Sequence, residues 1–298
     1  MGNGSWTTCS YSTYSESIGR RYCASTGTFS DTYTNSSQAF VAKHLDESMN
    51  PKKVIRECCD SEEHPNTIPI ILALDVTGSM GSTAIEVQKK LNPIMVEIYK
   101  RIKDAEIMIM AIGDLAYDDA PIQISQFESD IRIAENLDKI YFENGGGGND
   151  YESYTAAWYM GLNHCKLDCW NRGKKGLIIT MGDEPINPYL PRRQLNHATG
   201  DTIQIDVNTK DLYDEASKKF DIYHISVQSN SYPDQTREHK TFADVIGKQH
   251  AFVSSVDDIS DKIINIIEDF ANNSNQSMFV ESTPAPCHNS SDDGEIAW

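Results

Sequence analysis

The sequence lacks a long apolar run: no stretch approaches the roughly 18 consecutive apolar residues of a membrane-spanning helix. Its polar beginning lacks the basic-then-apolar pattern of a signal peptide, and Trp6 stands where an N-myristoylation signal has Ser or Thr. Seven cysteines, an odd number in a chain without export signals, favour reduced thiols over a disulfide framework. We therefore expect a soluble cytoplasmic protein that has no membrane partner.

Basic residues are also scarce, because 26 Lys and Arg stand against 44 Asp and Glu and give a net charge of −18. Nucleic-acid-binding proteins need stripes of Lys and Arg, which this sequence does not have. The glycine motifs of nucleotide-binding loops are missing as well. These absences exclude nucleic acid as the main partner and disfavour a nucleotide-binding enzyme.

Composition divides the chain into four segments. Residues 1–40 are rich in Ser, Thr and Tyr and are predicted to form an N-terminal arm. Residues 41–65 are interpreted as an entry segment, residues 66–271 as the folded domain, and residues 272–298 as a flexible acidic C-terminal tail without Lys or Arg.

Within the domain, apolar runs alternate with amphipathic patterns. Continuous apolar runs predict buried strands at residues 68–76, 105–113, 175–181, 220–227 and 250–254, and an alternating pattern predicts an edge strand at 122–127. Helices are predicted from residue 82 with a kink at Pro93, at 151–162, and from 259 onward with Ser255 as a cap. This alternation is typical of an α/β fold with helices on both faces of a mostly parallel sheet.

Ligand sites of such sheets lie beyond the carboxyl ends of the strands, so the residues that leave each strand are the candidates. Three loops offer oxygen ligands there: the first carries Asp75, Thr77 and Ser79, the second carries Asn149 and Asp150, and the third carries Asp183. Carboxylate and hydroxyl oxygens suit a hard divalent cation such as Mg²⁺. The sequence therefore predicts a metal site at this edge of the sheet.

Asp75, Thr77 and Ser79 match an Asp-x-Ser/Thr-x-Ser element, and Asp183 matches an aspartate after the fourth strand. On these residues the chain, over about residues 66–271, resembles the von Willebrand factor A (VWA) domain with a metal-ion-dependent adhesion site, in a bacterial or phage cytoplasmic form. The resemblance implies a Rossmann-like three-layer α/β/α sandwich. Its sheet would have the order 3-2-1-4-5-6 with one short antiparallel edge strand.

The second ligand loop departs from many VWA domains, which have a threonine after the glycines where this chain has Asn149 followed by Asp150. We favour Asn149 as the ligand and keep Asp150 as the rival. The resemblance implies Mg²⁺ as the metal, with Mn²⁺ and Ca²⁺ as alternatives.

The resemblance also implies a function in recognition, with no enzymatic activity. A carboxylate from a partner protein would complete the metal coordination, and family-level analogy names an AAA+ ATPase or a kinase or phosphatase module as the partner. The alternatives are an interaction scaffold whose metal is purely structural and, with less support, a metal-dependent hydrolase. A hydrolase of the aspartyl-phosphate type would have a second Asp at position 77, where this chain has Thr77.

Charge is distributed unevenly along the chain. Residues 104–153 hold 12 acidic and 2 basic residues, and residues 263–298 hold 6 acidic residues and no basic one. The first stretch includes Asp114, Asp118 and Asp119, which we interpret as a solvated acidic loop near the site. An acidic rim attracts a cation and repels an isolated carboxylate, so the acidic side chain of the partner is expected to lie in a basic surface.

Two cysteine pairs invite other interpretations. Cys165 and Cys169, one helical turn apart, could form a zinc site with His164, but the usual Cys-x₂-Cys spacing is missing and buried thiols are favoured. Cys58 and Cys59 are interpreted as packed thiols, with a redox switch as the alternative. His164, His197 and His250 have no partner at catalytic spacing and are interpreted as structural or surface residues.

Overall fold

A computed structural model describes residues 4–23, 28–30, 39–143, 151–229 and 233–273. The strands are β1 (Arg21–Cys23), β2 (Thr28–Ser30), β3 (Arg56–Cys58), β4 (Ile68–Asp75), β5 (Ala105–Ile112), β6 (Ile122–Ile124), β7 (Cys165–Leu167), β8 (Gly176–Gly182), β9 (Tyr189–Leu190), β10 (Val207–Asn208), β11 (Phe220–Gln228) and β12 (Ala251–Ser255). The helices are α1 (Thr8–Ser17), α2 (Gly81–Lys89), α3 (Leu91–Arg101), α4 (Arg132–Asp138), α5 (Ala156–Asn163), α6 (Arg192–Thr199), α7 (Thr209–Ala216), α8 (Thr236–Ile246) and α9 (Ile259–Asn273).

The centre of the fold is a six-stranded sheet in the order β12-β11-β8-β4-β5-β6. All neighbouring strands in it are parallel except β6, which pairs antiparallel with β5 at the edge. Numbered along the chain and read from β6 to β12, these six strands have the order 3-2-1-4-5-6. The predicted α/β class, strand order and antiparallel edge strand are therefore confirmed.

Helices cover both faces of the sheet. Every residue of β4 and β5 is buried, as expected of parallel strands that are covered on both sides. Helices α2, α3 and α9 pack together, whereas α5, α7 and α8 form a second group. The three layers of the predicted sandwich follow from these two groups of helices.

The helix predicted from residue 82 is interrupted earlier than expected. It is divided at Lys90 into α2 and α3, so that Pro93 lies in the first turn of α3. A proline ring clashes with the carbonyl group four residues earlier, but it is tolerated in the first turn of a helix. The break therefore lies about one turn before the proline, where Pro93 cannot donate to the carbonyl group of Lys89, and the predicted interruption of this helix by Pro93 is confirmed.

Other predicted boundaries also need correction. The helix predicted at 151–162 begins only at Ala156, because the backbone before it forms an isolated bridge between Glu152 and Ile186. The edge strand predicted at 122–127 is limited to β6, followed by a single bridge between Ile107 and Glu128. Both segments are held by contacts from distant parts of the chain.

Cys165 does not lie one helical turn from Cys169, because it begins β7, which pairs in parallel with β3 in a small separate sheet. Cys58, Cys59, Cys165 and Cys169 are free, buried thiols. Burial raises the pKa of Cys165 and of Cys169 to about 12, so both thiols stay protonated and poorly nucleophilic. The favoured interpretation of these four cysteines as packed thiols agrees with this arrangement.

The predicted arm contains a helix, α1, that packs against α3. Tyr11 is 1% exposed and packs against Trp6 with tilted rings whose centroids lie 5.3 Å apart. Its hydroxyl donates a hydrogen bond to the carbonyl oxygen of Gln88. Trp6 Nε1 donates to Asn92 Oδ1 at 3.0 Å. The arm thus adds aromatic side chains to the core.

Within the described ranges, no helix has the length and apolar character needed to span a bilayer.

Candidate metal centre

Two aspartates from adjacent strands lie at one edge of the central sheet. Asp75 is the last residue of β4, and Asp183 directly follows β8. The pairing of Leu74 with Met181 places the ends of these strands side by side. Both aspartates are fully buried. The sheet therefore brings together the two carboxylates that were predicted to share a site.

The first loop is folded around Asp75. Thr77 donates to Asp75 Oδ1 twice, from its backbone nitrogen at 2.9 Å and from its Oγ1 at 2.6 Å. Because the Thr77 hydroxyl proton is used in this bond, the lone pairs of its oxygen are available to a ligand. A short 3₁₀ turn, Gly78–Met80, then leads into α2 and carries the partly buried Ser79.

The third loop is tied to the first through Asp183. Ser79 Oγ donates to Asp183 Oδ1 at 3.0 Å, so two predicted site residues are in direct contact. Ser229 Oγ donates to Asp183 Oδ2 at 3.0 Å. Ser229 was not predicted, although it directly follows β11 and the strand-end argument, applied to this fifth strand, would have found it.

Tyr154 is the other residue that the sequence did not reveal. Its hydroxyl donates to Asp75 Oδ2 at 2.6 Å and accepts from the backbone nitrogen of Glu184 at 3.2 Å. In the sequence Tyr154 is one of several apolar residues on a helical face, so nothing in its local pattern distinguishes it from a core residue. Its contact with Asp75 depends on tertiary structure.

Burial raises the pKa of both aspartates. The pKa of Asp75 is raised to about 7, first by burial and then by the charge of Asp183, against hydrogen bonds from Thr77 and Tyr154. The pKa of Asp183 is also raised by burial, against hydrogen bonds from Ser79 and Ser229. In the part of the chain that the structure describes, neither aspartate forms an ion pair with Lys or Arg. The edge therefore concentrates negative charge that the described residues do not neutralise.

A third carboxylate lies beside this edge. Glu152 is 5% exposed, and its Oε2 has no hydrogen-bond partner among the described residues. Its pKa is raised to about 10, first by burial and then by the charges of Asp75 and Asp118. Buried carboxylates without a basic partner are costly unless they are protonated or bind a cation.

The neighbouring acidic loop is less solvated than predicted. Asp114 is only 3% exposed, so its interpretation as a solvated residue is wrong. Its Oδ1 accepts from the backbone nitrogen of Ala116 at 2.8 Å, and Asp118 Oδ2 accepts from the nitrogen of Asp114 at 2.6 Å. The loop folds back on its own backbone and buries Asp114.

The described oxygen donors fit a hard divalent cation in type and in charge, because carboxylates and hydroxyls converge without a basic partner. The second-loop candidates, Asn149 and Asp150, lie outside the described residues. Among the described residues alone, no group of three or more His, Cys, Asp or Glu side chains has the arrangement of a metal centre. The described part of the candidate site therefore consists of two carboxylates and two hydroxyls, and the second loop would supply the rest.

No protein-family model matches the sequence, and no curated protein matches it either. Among solved structures, the chain is similar to the pilus adhesin SpaC of Lactobacillus rhamnosus GG in its open conformation, with 11% identity and a TM-score of 0.47 over 77% of this chain and 33% of that one. It is similar to the vWF domain of the type V pili tip protein Mfa5 of Porphyromonas gingivalis, with 11% identity and a TM-score of 0.47 over 73% and 98% of the two chains.

A further similarity is to proximal thread matrix protein 1 of the mussel byssus, with 13% identity and a TM-score of 0.41 over 70% of this chain and 46% of that one. The chain thus spans about a third of SpaC and less than half of the mussel protein. Identities of 11–13% and TM-scores below 0.5 carry no information on what this chain binds.

Proposed function

We propose that this chain is a VWA-type domain protein that binds a divalent cation and recognises a partner protein through it. One observation carries the proposal: Asp75 and Asp183, both fully buried, meet at the carboxyl edge of adjacent strands together with the hydroxyls of Thr77 and Ser79. Two buried carboxylates with no basic partner among the described residues are an unfavourable arrangement in their ionised form unless a cation accompanies them.

Mg²⁺ is the proposed metal, with Mn²⁺ and Ca²⁺ as alternatives, because all the donors are oxygens. Asp75, Thr77, Ser79 and Asp183 would hold it, together with Asn149 or Asp150 from the second loop. When bound, the ion supplies a Lewis-acid position that a carboxylate from another protein can occupy. The residues of this chain exclude water from Asp75 and Asp183 and orient their oxygens.

The proposed partner presents an acidic side chain within a basic surface. The chain carries a net charge of −18, and Asp114, Asp118 and Glu152 lie on the side of the site next to β5. Such a rim would repel an isolated carboxylate, so positive charge around the acidic residue of the partner would be needed to offset it. An AAA+ ATPase or a kinase or phosphatase module remains the family-level suggestion, and a cytoplasmic location remains a prediction.

Binding, and not turnover, is the proposed role. In the described structure the hydroxyls of Thr77 and Ser79 donate to aspartates, and neither is hydrogen-bonded to a histidine that could act as a base. A scaffold with a purely structural metal is the second candidate, because the same oxygen cluster could serve only to join the first and third loops.

Affinity capture with and without chelator tests the proposal. The tagged wild-type chain is compared with Asp75→Asn and with Asp201→Asn, a matched control that also removes an aspartate hydrogen-bonded to a tyrosine at 2.6 Å, but away from the site. We expect EDTA and Asp75→Asn to abolish capture of a protein that Asp201→Asn retains, and added Mg²⁺ to restore it. Capture that survives both EDTA and Asp75→Asn would favour the scaffold.

A further inference from the structure

The hydroxyl of Tyr154 lies between the first and third ligand loops and is bonded to both. It donates to Asp75 Oδ2 at 2.6 Å, and it accepts from the backbone nitrogen of Glu184 at 3.2 Å. Glu184 directly follows Asp183, so this one oxygen connects the carboxylate of the first loop with the backbone of the third. Both carboxylate oxygens of Asp75 therefore accept hydrogen bonds, because Thr77 donates to Oδ1 and Tyr154 donates to Oδ2.

Tight packing fixes the position of this hydroxyl. Tyr154 is 1% exposed, and its ring meets the edges of His224 and Phe242 with centroids 5.3 and 5.6 Å away. On another side the ring lies directly against Gly182, where a Cβ atom would be only 2.1 Å from the tyrosine oxygen. The hydroxyl is therefore placed by the core and by the strand that leads to Asp183.

We propose that Tyr154 is a positioning residue of the metal centre, which orients the Asp75 carboxylate and keeps the Asp183 loop in register with it. This inference rests on the proposed metal-binding function. Residues that orient metal ligands through hydrogen bonds typically contribute a factor of about 10 to 100 in metal affinity. Tyr154 lies in the segment that follows the second ligand loop. Its two hydrogen bonds therefore connect this segment with the first and third ligand loops.

Tyr159 provides a matched control on the same stretch of chain. Its hydroxyl donates to Asp201 Oδ2 at 2.6 Å, the same distance as in the pair of Tyr154 with Asp75. Tyr154→Phe and Tyr159→Phe each remove one tyrosine-to-aspartate hydrogen bond and leave the ring in place, and Tyr154→Phe also removes the bond from the Glu184 nitrogen. Both variants can therefore lower the melting temperature of the metal-free protein, but only the first changes the proposed centre.

The experiment is calorimetric titration of Mg²⁺ into the wild-type full chain and into both variants, with the melting temperature of each metal-free protein recorded in parallel. We expect Tyr154→Phe to raise the Kd for Mg²⁺ about 10- to 100-fold, and Tyr159→Phe to leave it within about twofold of the wild-type value. Wild-type affinity in Tyr154→Phe, or equal weakening in both variants, would overturn the inference. Absence of Mg²⁺ binding in the wild-type chain would instead overturn the proposed function itself.

Discussion

Glu106 on β5 offers a quantitative test of how burial acts on a carboxylate far from any proposed ligand. The side chain is 1% exposed, and within the part of the chain that the structure describes its Oε2 has no hydrogen-bond partner. Its pKa is raised from 4.5 to about 7, first by burial, against a hydrogen bond from the thiol of Cys58. The Glu106→Gln substitution removes the charge and keeps the shape and an acceptor oxygen.

The magnitude follows from the difference between the folded and unfolded pKa values. The folded protein holds the Glu106 proton more tightly than the unfolded chain does. The contribution of Glu106 to the free energy of unfolding is therefore fully present below about pH 4.5 and is lost as the pH rises through about 7. At 1.36 kcal/mol per pKa unit, the loss amounts to about 3 kcal/mol above pH 7. The Glu106→Gln variant should not show this loss in the free energy of unfolding, because glutamine does not ionise.

Urea denaturation between pH 5 and pH 8 measures this difference. We expect Glu106→Gln to be close to the wild-type protein in free energy of unfolding at pH 5 and more stable by up to about 3 kcal/mol at pH 8. The control Glu215→Gln, at an exposed position of α7 paired with Lys218, should stay within about 0.5 kcal/mol at both pH values. A difference between Glu106→Gln and wild type that does not change with pH would show that burial does not raise the pKa of Glu106.

Two further predictions concern packing. Gly182→Ala places a Cβ atom against the Tyr154 ring and should lower the free energy of unfolding in urea by about 1–3 kcal/mol. Gly161→Ala in α5 should cost less, because its Cβ atom would be 3.2 Å from the side chains of Ile178 and Phe220, and equal losses would contradict the packing argument. Tyr11→Ala should lower the free energy of unfolding by about 3 kcal/mol, because Tyr11 is 1% exposed and anchors α1 to the core. A loss below about 0.5 kcal/mol would show that α1 contributes little to the stability of the domain.

The central sheet could be predicted because its strands are buried on both faces. The runs that became β4 and β5 are almost continuously apolar, and that pattern is typical of parallel strands covered by helices. Asp75 and Asp183 could be assigned to one edge for the same reason, since the carboxyl ends of parallel strands meet there. The prediction therefore succeeded where one rule relates local pattern to tertiary position.

The missed features depend on contacts that no local pattern encodes. β3 and β7 are three residues each and pair across more than 100 positions of sequence. α1 has little apolar character along its length, and it is held by the burial of Tyr11. The Tyr154 hydroxyl gains its role only because Gly182 leaves room for its ring beside Asp75.

Asp75 and Asp183 are proposed to belong to a divalent-cation site, and calorimetric titration of Mg²⁺ at neutral pH measures binding at that site. The wild-type chain is compared with Asp183→Asn and with the control Asp201→Asn, whose aspartate accepts hydrogen bonds from Tyr159 and His164 outside the site. We predict a single saturable Mg²⁺ site in the wild-type chain and in Asp201→Asn, and its loss in Asp183→Asn. Absence of Mg²⁺ binding in the wild-type chain, or unchanged binding in Asp183→Asn, would show that these aspartates do not form a cation site.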